Sequence, residues 1–567
     1  MTREKVLVLG DDTRSFLAII RSLGRRGLAV HAAPTNFRSA ALHSRYISRI
    51  HDLPPWMEDG AAWLTAVTTL LRAERFDLVI PCTETTLLPL QRHRAALSSL
   101  ARLAIPDDRA IAVLFDKHKT RELARCLGVP VAAGRLLRPG DTADNVLAEF
   151  GMPVVLKPRH SYSLGNLASR GKVELVAQTA RLQLLLGTCD PAETLLEQYF
   201  AGRGVGISVL SSHGRVLQAF EHHRVRELAG ASFYRHSAPL TPALIEACAA
   251  IVAALEYTGV AMFEFKQATD EEWVLLEVNA RPWGSMPLPV ALGVDFPYRW
   301  YRLLVAGEET SAVCYRPRVY GRNLLPDLRN SLIETETRHL GPAATAWFMA
   351  GRVVEMLRVL SGREVHDVLV RDDPVPGLVE LLQIGGAIGR RMQDAAPGAT
   401  ARRRYRARIA LRALRRAAGN ASIVFVCQGN ICRSPFSEAL LRAGLGDGTL
   451  TIASAGLIPR PGRPTPLLGL EAAAQYGVDL SAHRSVWLSH ELVNTASLLV
   501  AFDEITRHAV FDRYPRLHPP LILLGDLTGV GDIHDPIDGG AAQFTRVYEQ
   551  IATAITEMAA LLRLPAD

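Results

Sequence analysis

The sequence predicts a multidomain chain of α/β and α+β units. At 567 residues it is too long for one hydrophobic core. Apolar strands alternate with helical stretches over residues 1–105, and the same alternation restarts at Ser422, after a stretch crowded with arginine. Between them, five apolar strands are spaced by loops and a helix, which is the α+β pattern.

In order, Lys5–Gly10 is a strand, Arg14–Arg26 a helix, and Leu28–Ala33 and Phe76–Cys82 are further strands. This is a doubly wound α/β unit over 1–105. Gly10 stands alone, without G-x-G-x-x-G, so no dinucleotide site is assigned there. Residues 106–320 hold the strands PVVLKP, TLLEQYF, GVGISVL, VAMFEFK and EWVLLEVN. Residues 321–420 are mixed, with an amphipathic helix near Thr345–Leu360 and an Arg-rich linker helix over 397–420. That helix is expected to gather Tyr405, Ile409, Ala413 and Ala417 on one face. A last α/β unit with a parallel sheet covers 421–567.

Composition is that of a globular protein, 48% apolar and 21% charged. The net charge of +7 is local in origin. From Ala421 onward the chain carries ten Arg, no Lys and fifteen acids, so the rest carries +12, of which eight Arg lie in 397–420. This does not mark a nucleic-acid-binding protein. The Arg-rich segment has two readings: contact with an anionic membrane or acidic partner, or a solvated helix joining two domains. The alanine-rich face favours the second. No secretory segment or run of about 18 apolar residues is found. Seven scattered cysteines predict reduced thiols and a cytoplasmic protein.

One motif is Cys427-Gln428-Gly429-Asn430-Ile431-Cys432-Arg433-Ser434-Pro435, which follows a strand and opens a helix. Such a loop turns backbone N–H groups and a helix N-terminus toward a dianion. Arg433 offers a bidentate fork, and Cys427 attacks as thiolate. Ser434 and Pro435 are expected at the N-cap and first turn. Asp535, in Asp535-Pro536, is the acid for the leaving oxygen. With Ser454-Ala455-Gly456, this set resembles the low-molecular-weight protein-tyrosine-phosphatase family. The resemblance implies Cys427 as nucleophile, Arg433 as phosphate clamp and Asp535 as acid and then base. Gln428, Gly429, Asn430, Ile431, Cys432 and Ser434 would form the phosphate loop, with a phosphocysteine intermediate and no cofactor. Ile431 leans toward phosphotyrosine. Asp538 and the lack of aromatics after Asp535-Pro536 lean away from it. No cysteine follows Cys432, which excludes an arsenate-reductase relay. A reversible Cys427–Cys432 disulfide and simple packing of Cys432 stay open.

Upstream, Lys157 ends a strand and a Ser/Gly loop through Ser161 and Gly165 follows. Glu264, Glu277 and Asn279 offer oxygen ligands for Mg2+. Glu277, Asn279 and Arg281 alternate on one strand face. The pattern resembles the ATP-grasp superfamily, in the branch similar to the carbamoyl-phosphate synthase large chain, with a Rossmann-like pre-ATP-grasp unit before it. The resemblance adds Lys117 to the ATP set and places Glu197, Gln198 and Tyr199 at the adenine hinge. It implies ATP, Mg2+, an unidentified carboxylate and a nucleophile. The chain is thus expected to be a bifunctional ligase and phosphatase. The alternatives are a phosphatase with a nucleotide-binding regulatory module, or a phosphatase acting on a small metabolite.

Overall fold

The computed structural model describes residues 4–563 apart from 11–13, 58, 166, 168–169, 229, 270, 339–340, 396–397, 417–420, 447–449, 459–460, 515–518 and 538. The chain divides into two compact units, Met1–Ile384 and Gly385–Asp567.

The first unit opens with a five-stranded parallel sheet. Its spatial order is Ile47–Ile50, Ala29–Pro34, Lys5–Gly10, Leu78–Pro81 and Arg102–Leu103. Lys5–Gly10 is central and almost wholly buried, as expected of a parallel strand covered on both faces. A four-stranded antiparallel sheet follows, in the order Gly134–Leu136, Thr194–Gln198, Val154–Pro158 and Glu174–Val176. The third sheet has seven strands, in the order Trp273–Asn279, Gly259–Gln267, Arg203–Ser212, Arg215–Leu228, Ala231–Ala238, Tyr320–Arg322 and Glu364–His366. Its last two strands come from residues where no motif was read. They are tied in by buried ion pairs: Arg235 to Asp367 at 2.7 Å, and Arg322 to Glu364 at 2.5 Å. The amphipathic helix expected near Thr345–Leu360 is Pro342–Met356, continued by a 3-10 turn over Leu357–Ser361.

The second unit holds a four-stranded parallel sheet in the order Thr451–Gly456, Ser422–Cys427, Leu498–Ala501 and Leu521–Leu523. Helices Arg433–Leu445 and Ala541–Arg563 pack together beside it, with Phe436 stacked on Tyr548 at 4.3 Å.

The Arg-rich segment departs from expectation. It forms the helix Ala399–Arg416, but Tyr405, Ile409 and Ala413 face solvent. Ala407, Leu411 and Leu414 are the buried residues, and they join the core of the second unit. The physical reason lies beside the inner face, where arginines meet carboxylates of the second unit while Leu411 and Leu414 enter its core. Arg403 pairs with Asp526, and Arg408 with Glu557 at 2.6 Å. The helix is therefore packed onto the second unit and is not a solvated linker. Ala417 lies outside the described residues. Among the described residues, no helix is long and apolar enough to cross a membrane.

Candidate functional site

In the second unit, Cys427 ends an interior strand of the sheet and the chain then turns into helix Arg433–Leu445. Cys427 Sγ accepts the Asn430 backbone N–H at 3.1 Å and lies 3.0 Å from Ser434 Oγ. Asn430 Nδ2 donates to Ser434 Oγ at 2.9 Å, so the Ser434 hydroxyl proton has two acceptors, the sulfur at 3.0 Å and Ala455 O at 3.5 Å, of which the sulfur is the nearer. Ser434 is thus not the N-cap. Cys432 holds that position, and Ser434 lies inside the first turn with its side chain turned to Cys427.

Asn430 adopts a left-handed backbone with φ of 52°. Asparagine tolerates this better than most residues. Its side chain fixes the turn, donating to Ser454 Oγ at 2.8 Å and accepting the Val486 N–H at 2.6 Å. The Ser-Ala-Gly segment now has a reason. Ser454 anchors Asn430, and a Cβ on Gly456 would meet the Gly429 carbonyl carbon at 2.8 Å and Asn430 N at 2.9 Å. Two residues that sequence reasoning missed brace the loop from outside. His483 Nε2 contacts Asn430 O at 2.8 Å, and Arg463 donates to Gly429 O at 2.6 Å.

Arg433 is 1% exposed, so its fixed charge needs partners. It donates to Asp503 at 2.5 Å, to Ile533 O at 2.9 Å and to Asp535 at 2.6 Å. Asp503 is a further residue missed from sequence. It also caps the helix Glu504–Arg513 by accepting the Thr506 N–H at 2.6 Å. Burial raises the Asp503 carboxyl. The Thr506 N–H and Arg433 outweigh this and hold it below the ordinary range. Burial, reinforced by Cys427 and Asp535, pushes the Cys432 thiol up, so it stays protonated. Gln428 is exposed and Ile431 half-buried against the core. Asp538 lies outside the described residues.

In the first unit, Lys117 donates to Ser161 Oγ at 2.6 Å, while Lys157 pairs with Glu197 at 2.5 Å. Glu197 is buried and also bonded to Arg121 at 2.7 Å, a partner not foreseen. Glu264 and Glu277 are opposed across adjacent strands, with Asn279 donating to Glu264 at 3.0 Å and to Glu277 at 3.3 Å. Burial raises Glu264, and Glu277 adds to the rise against Arg224. Burial also raises Glu277, but Lys117 and Lys157 reverse this and leave it lowered. Burial lowers Lys117. Arg281 bonds Glu84 and Asn279.

Lys117, Ser161, Glu277 and Asn279 line a small cleft with Glu84. A neighbouring cavity of ≈ 210 Å³ is lined by Arg14, His222, Arg224, Glu264, Arg281 and Trp283, among others. Gly165, Gln198 and Tyr199 are exposed and line neither. His31, His51 and Glu74 also lie close together, but Glu74 is already paired with Lys5 and Arg49, so no metal centre is assigned there.

The family model described as low molecular weight phosphotyrosine protein phosphatase matches residues 422–565. The chain is 33% identical over 134 residues to the probable low molecular weight protein-tyrosine-phosphatase EpsP of Ralstonia nicotianae, covering 24% of this chain and 90% of that one. The chain belongs to the low-molecular-weight protein-tyrosine-phosphatase family. Another member, Etp of Escherichia coli, is 31% identical over 138 residues, 24% of this chain and 92% of its own. The protein-arginine-phosphatase of Bacillus subtilis is 30% identical over 149 residues, 25% of this chain and 96% of its own. Upstream of the phosphatase, the model described as ATP-grasp in the biosynthetic pathway with Ter operon matches residues 190–320. Among solved structures, N5-carboxyaminoimidazole synthetase of Staphylococcus aureus, complexed with ADP, matches with a TM-score of 0.46 and 16% identity, over 59% of this chain and 86% of that one. L-amino acid ligase of Bacillus licheniformis matches with a TM-score of 0.42 and 19% identity, over 56% and 79%. The chain thus carries a stretch, residues 190–320, that matches an ATP-grasp family model, ahead of a phosphatase-family domain over 422–565.

Proposed function

We propose that Cys427 is the nucleophile of a phosphomonoester hydrolase within 421–567, with Arg433 as clamp and Asp535 as acid. The observation that carries this is the convergence of Ser434 and the Asn430 N–H on Cys427 Sγ, next to a buried Arg433. Arg433 holds Asp535 in the described arrangement. An entering phosphoryl group competes for that guanidinium and frees the carboxyl to face the leaving oxygen. Cys427 attacks phosphorus and Asp535 protonates the departing oxygen. Water, deprotonated by Asp535, then cleaves the phosphocysteine to release phosphate. The cycle draws on no cofactor, and its free thiolate suits a reducing, cytoplasmic compartment. Aryl-phosphate hydrolysis tests this. Cys427→Ser abolishes turnover and leaves ATP binding intact; retained turnover overturns the assignment. Phosphotyrosine is the preferred substrate class on Ile431. A set of phosphopeptides, phosphoarginine and sugar phosphates decides between it and a small metabolite.

For residues 106–320, preceded by the α/β unit of 1–105, we infer an ATP-dependent carboxylate ligase. Lys117, Lys157, Ser161 and Gly165 would meet the phosphates, Glu197, Gln198 and Tyr199 the adenine, and Arg281 the transferred phosphoryl group. Glu264 and Glu277 fit Mg2+, since two opposed carboxylates are hard donors that a dication relieves of mutual repulsion; Asn279 would join them by turning its Oδ1 from Arg281 toward the ion in place of the N–H it now donates to both. The ion would neutralise triphosphate charge. The ≈ 210 Å³ cavity beside Arg224 and Arg281 suits the carboxylate. ADP release that depends on an added carboxylate and is lost in Glu277→Ala is expected. No such dependence across a broad acid panel would favour a nucleotide-binding regulatory module.

A further inference from the structure

We propose that the outward face of helix Ala399–Arg416 docks the chain on an anionic phospholipid surface. The helix has two distinct faces. Its inner one, Ala407, Leu411 and Leu414, is used up in the core of the second unit. At 100° per residue, Arg402, Tyr405, Arg406, Ile409, Arg412 and Arg416 fall within one arc of about 120° on the opposite side. All six are exposed. Tyr405 is 65% and Ile409 46% exposed, one turn apart in the middle of the arc.

Charge separates the two faces as well. Arg403, Arg404 and Arg408 lean inward and pair with Asp526 and Glu557. Among the described residues, Arg406, Arg412 and Arg416 carry no ion pair, and the segment 397–420 contains no acid. A merely solvated helix has no need of three uncompensated arginines around an exposed tyrosine and isoleucine. A layer of lipid phosphates answers both features. Guanidinium groups bind phosphate oxygens bidentately, and an aromatic and an aliphatic side chain between them enter the headgroup layer. The 18-residue helix is about 27 Å long, so the whole arc can lie flat on such a layer. The apolar contribution is only two side chains, so binding depends on anionic lipid and weakens with salt.

The test uses the full chain and flotation with phosphatidylcholine vesicles, with and without phosphatidylserine. The chain is expected to float only with phosphatidylserine, and less at high salt. Each arginine near an anionic surface is worth about fivefold in affinity, so Arg406→Ala/Arg412→Ala/Arg416→Ala is expected to bind roughly a hundredfold more weakly. Tyr405→Ala/Ile409→Ala is expected to lose several-fold. Unchanged aryl-phosphate hydrolysis in both variants shows that they are folded. No flotation of the wild type, equal flotation without phosphatidylserine, or a triple variant that floats like the wild type overturns the proposal. Capture by an acidic polypeptide without flotation overturns it in favour of a protein partner.

Discussion

Asp503→Asn isolates what holds Arg433, the proposed phosphate clamp, in place. Arg433 is buried at the root of the loop and has three acceptors: Asp503, Asp535 and Ile533 O. On the proposed mechanism Asp535 must let go when substrate arrives, so Asp503 is the carboxylate that keeps the guanidinium aimed throughout the cycle. Asparagine keeps an oxygen for the Thr506 N–H, so the helix cap survives. It loses the charge and turns an N–H toward Arg433. A hydrogen bond to a charged group is worth about 1.5–3 kcal/mol, which is on the order of a 10- to 100-fold fall in kcat/KM. Steady-state hydrolysis of an aryl phosphate measures this, alongside thermal unfolding of the same sample. Both KM and kcat are expected to suffer, because the clamp acts on bound ester and on the transition state, while Tm moves little. A variant within twofold of wild-type kcat/KM would refute the positioning role. A fall in activity matched by a collapse of Tm would reduce Asp503 to a helix cap.

Three further outcomes are expected. Gly456→Ala places a methyl against the backbone of Gly429 and Asn430, so aryl-phosphate turnover falls on the order of tenfold to a hundredfold, checked by the same assay. Burial, with Asp367 nearby, pushes the Glu380 carboxyl up to about 7. The folded form then holds a proton that the unfolded chain has released, so stability is full below the ordinary value of 4.5 and is lost as pH rises through 7. The loss is about 3 kcal/mol and should be absent in Glu380→Gln, read from urea midpoints against pH. Asp367→Ala strands Arg235 in a site where both side chains are 0% exposed, at a cost of about 3–5 kcal/mol in urea unfolding.

The phosphatase loop was legible because its chemistry is contiguous in sequence. Cys427, Asn430, Arg433 and Ser434 lie within eight positions, and one strand and one helix present them together. What escaped was contributed by distant chain. Asp503, His483 and Arg463 reach the loop from separate segments, and nothing in their local sequence distinguishes them from surface charges. Ser434 was misplaced because a serine before a helical run is ordinarily a cap, whereas this one serves the sulfur. The strands of the first unit were readable from apolar runs such as Val154–Leu156 and Val260–Phe263. The face of the Arg-rich helix was not. Tyr405 and Ile409 are the bulkier apolar residues in its first half, and only the packing shows that Leu411 and Leu414 take the core.

The edge of the seven-stranded sheet explains why its last two strands, Tyr320–Arg322 and Glu364–His366, were not read from the sequence. Apolar periodicity finds strands whose partners are hydrophobic. Tyr320–Arg322 and Glu364–His366 are three residues each and are held by charge. Arg322 bonds Glu364 and Asp327, and Arg226 bonds Asp327 and Glu355. The Tyr234 ring lies within 4.0 Å of the Arg226 guanidinium and 4.1 Å of that of Arg322. Burying such a network gains little stability over a well-packed apolar core, since desolvation offsets the attraction. Its fixed geometry, however, accepts one register only. A slip of one residue would send every paired charge to the wrong face and leave it buried alone. The strands that read as featureless are therefore the ones whose placement is most narrowly specified, and they frame the sheet that carries Glu264, Glu277 and Arg224.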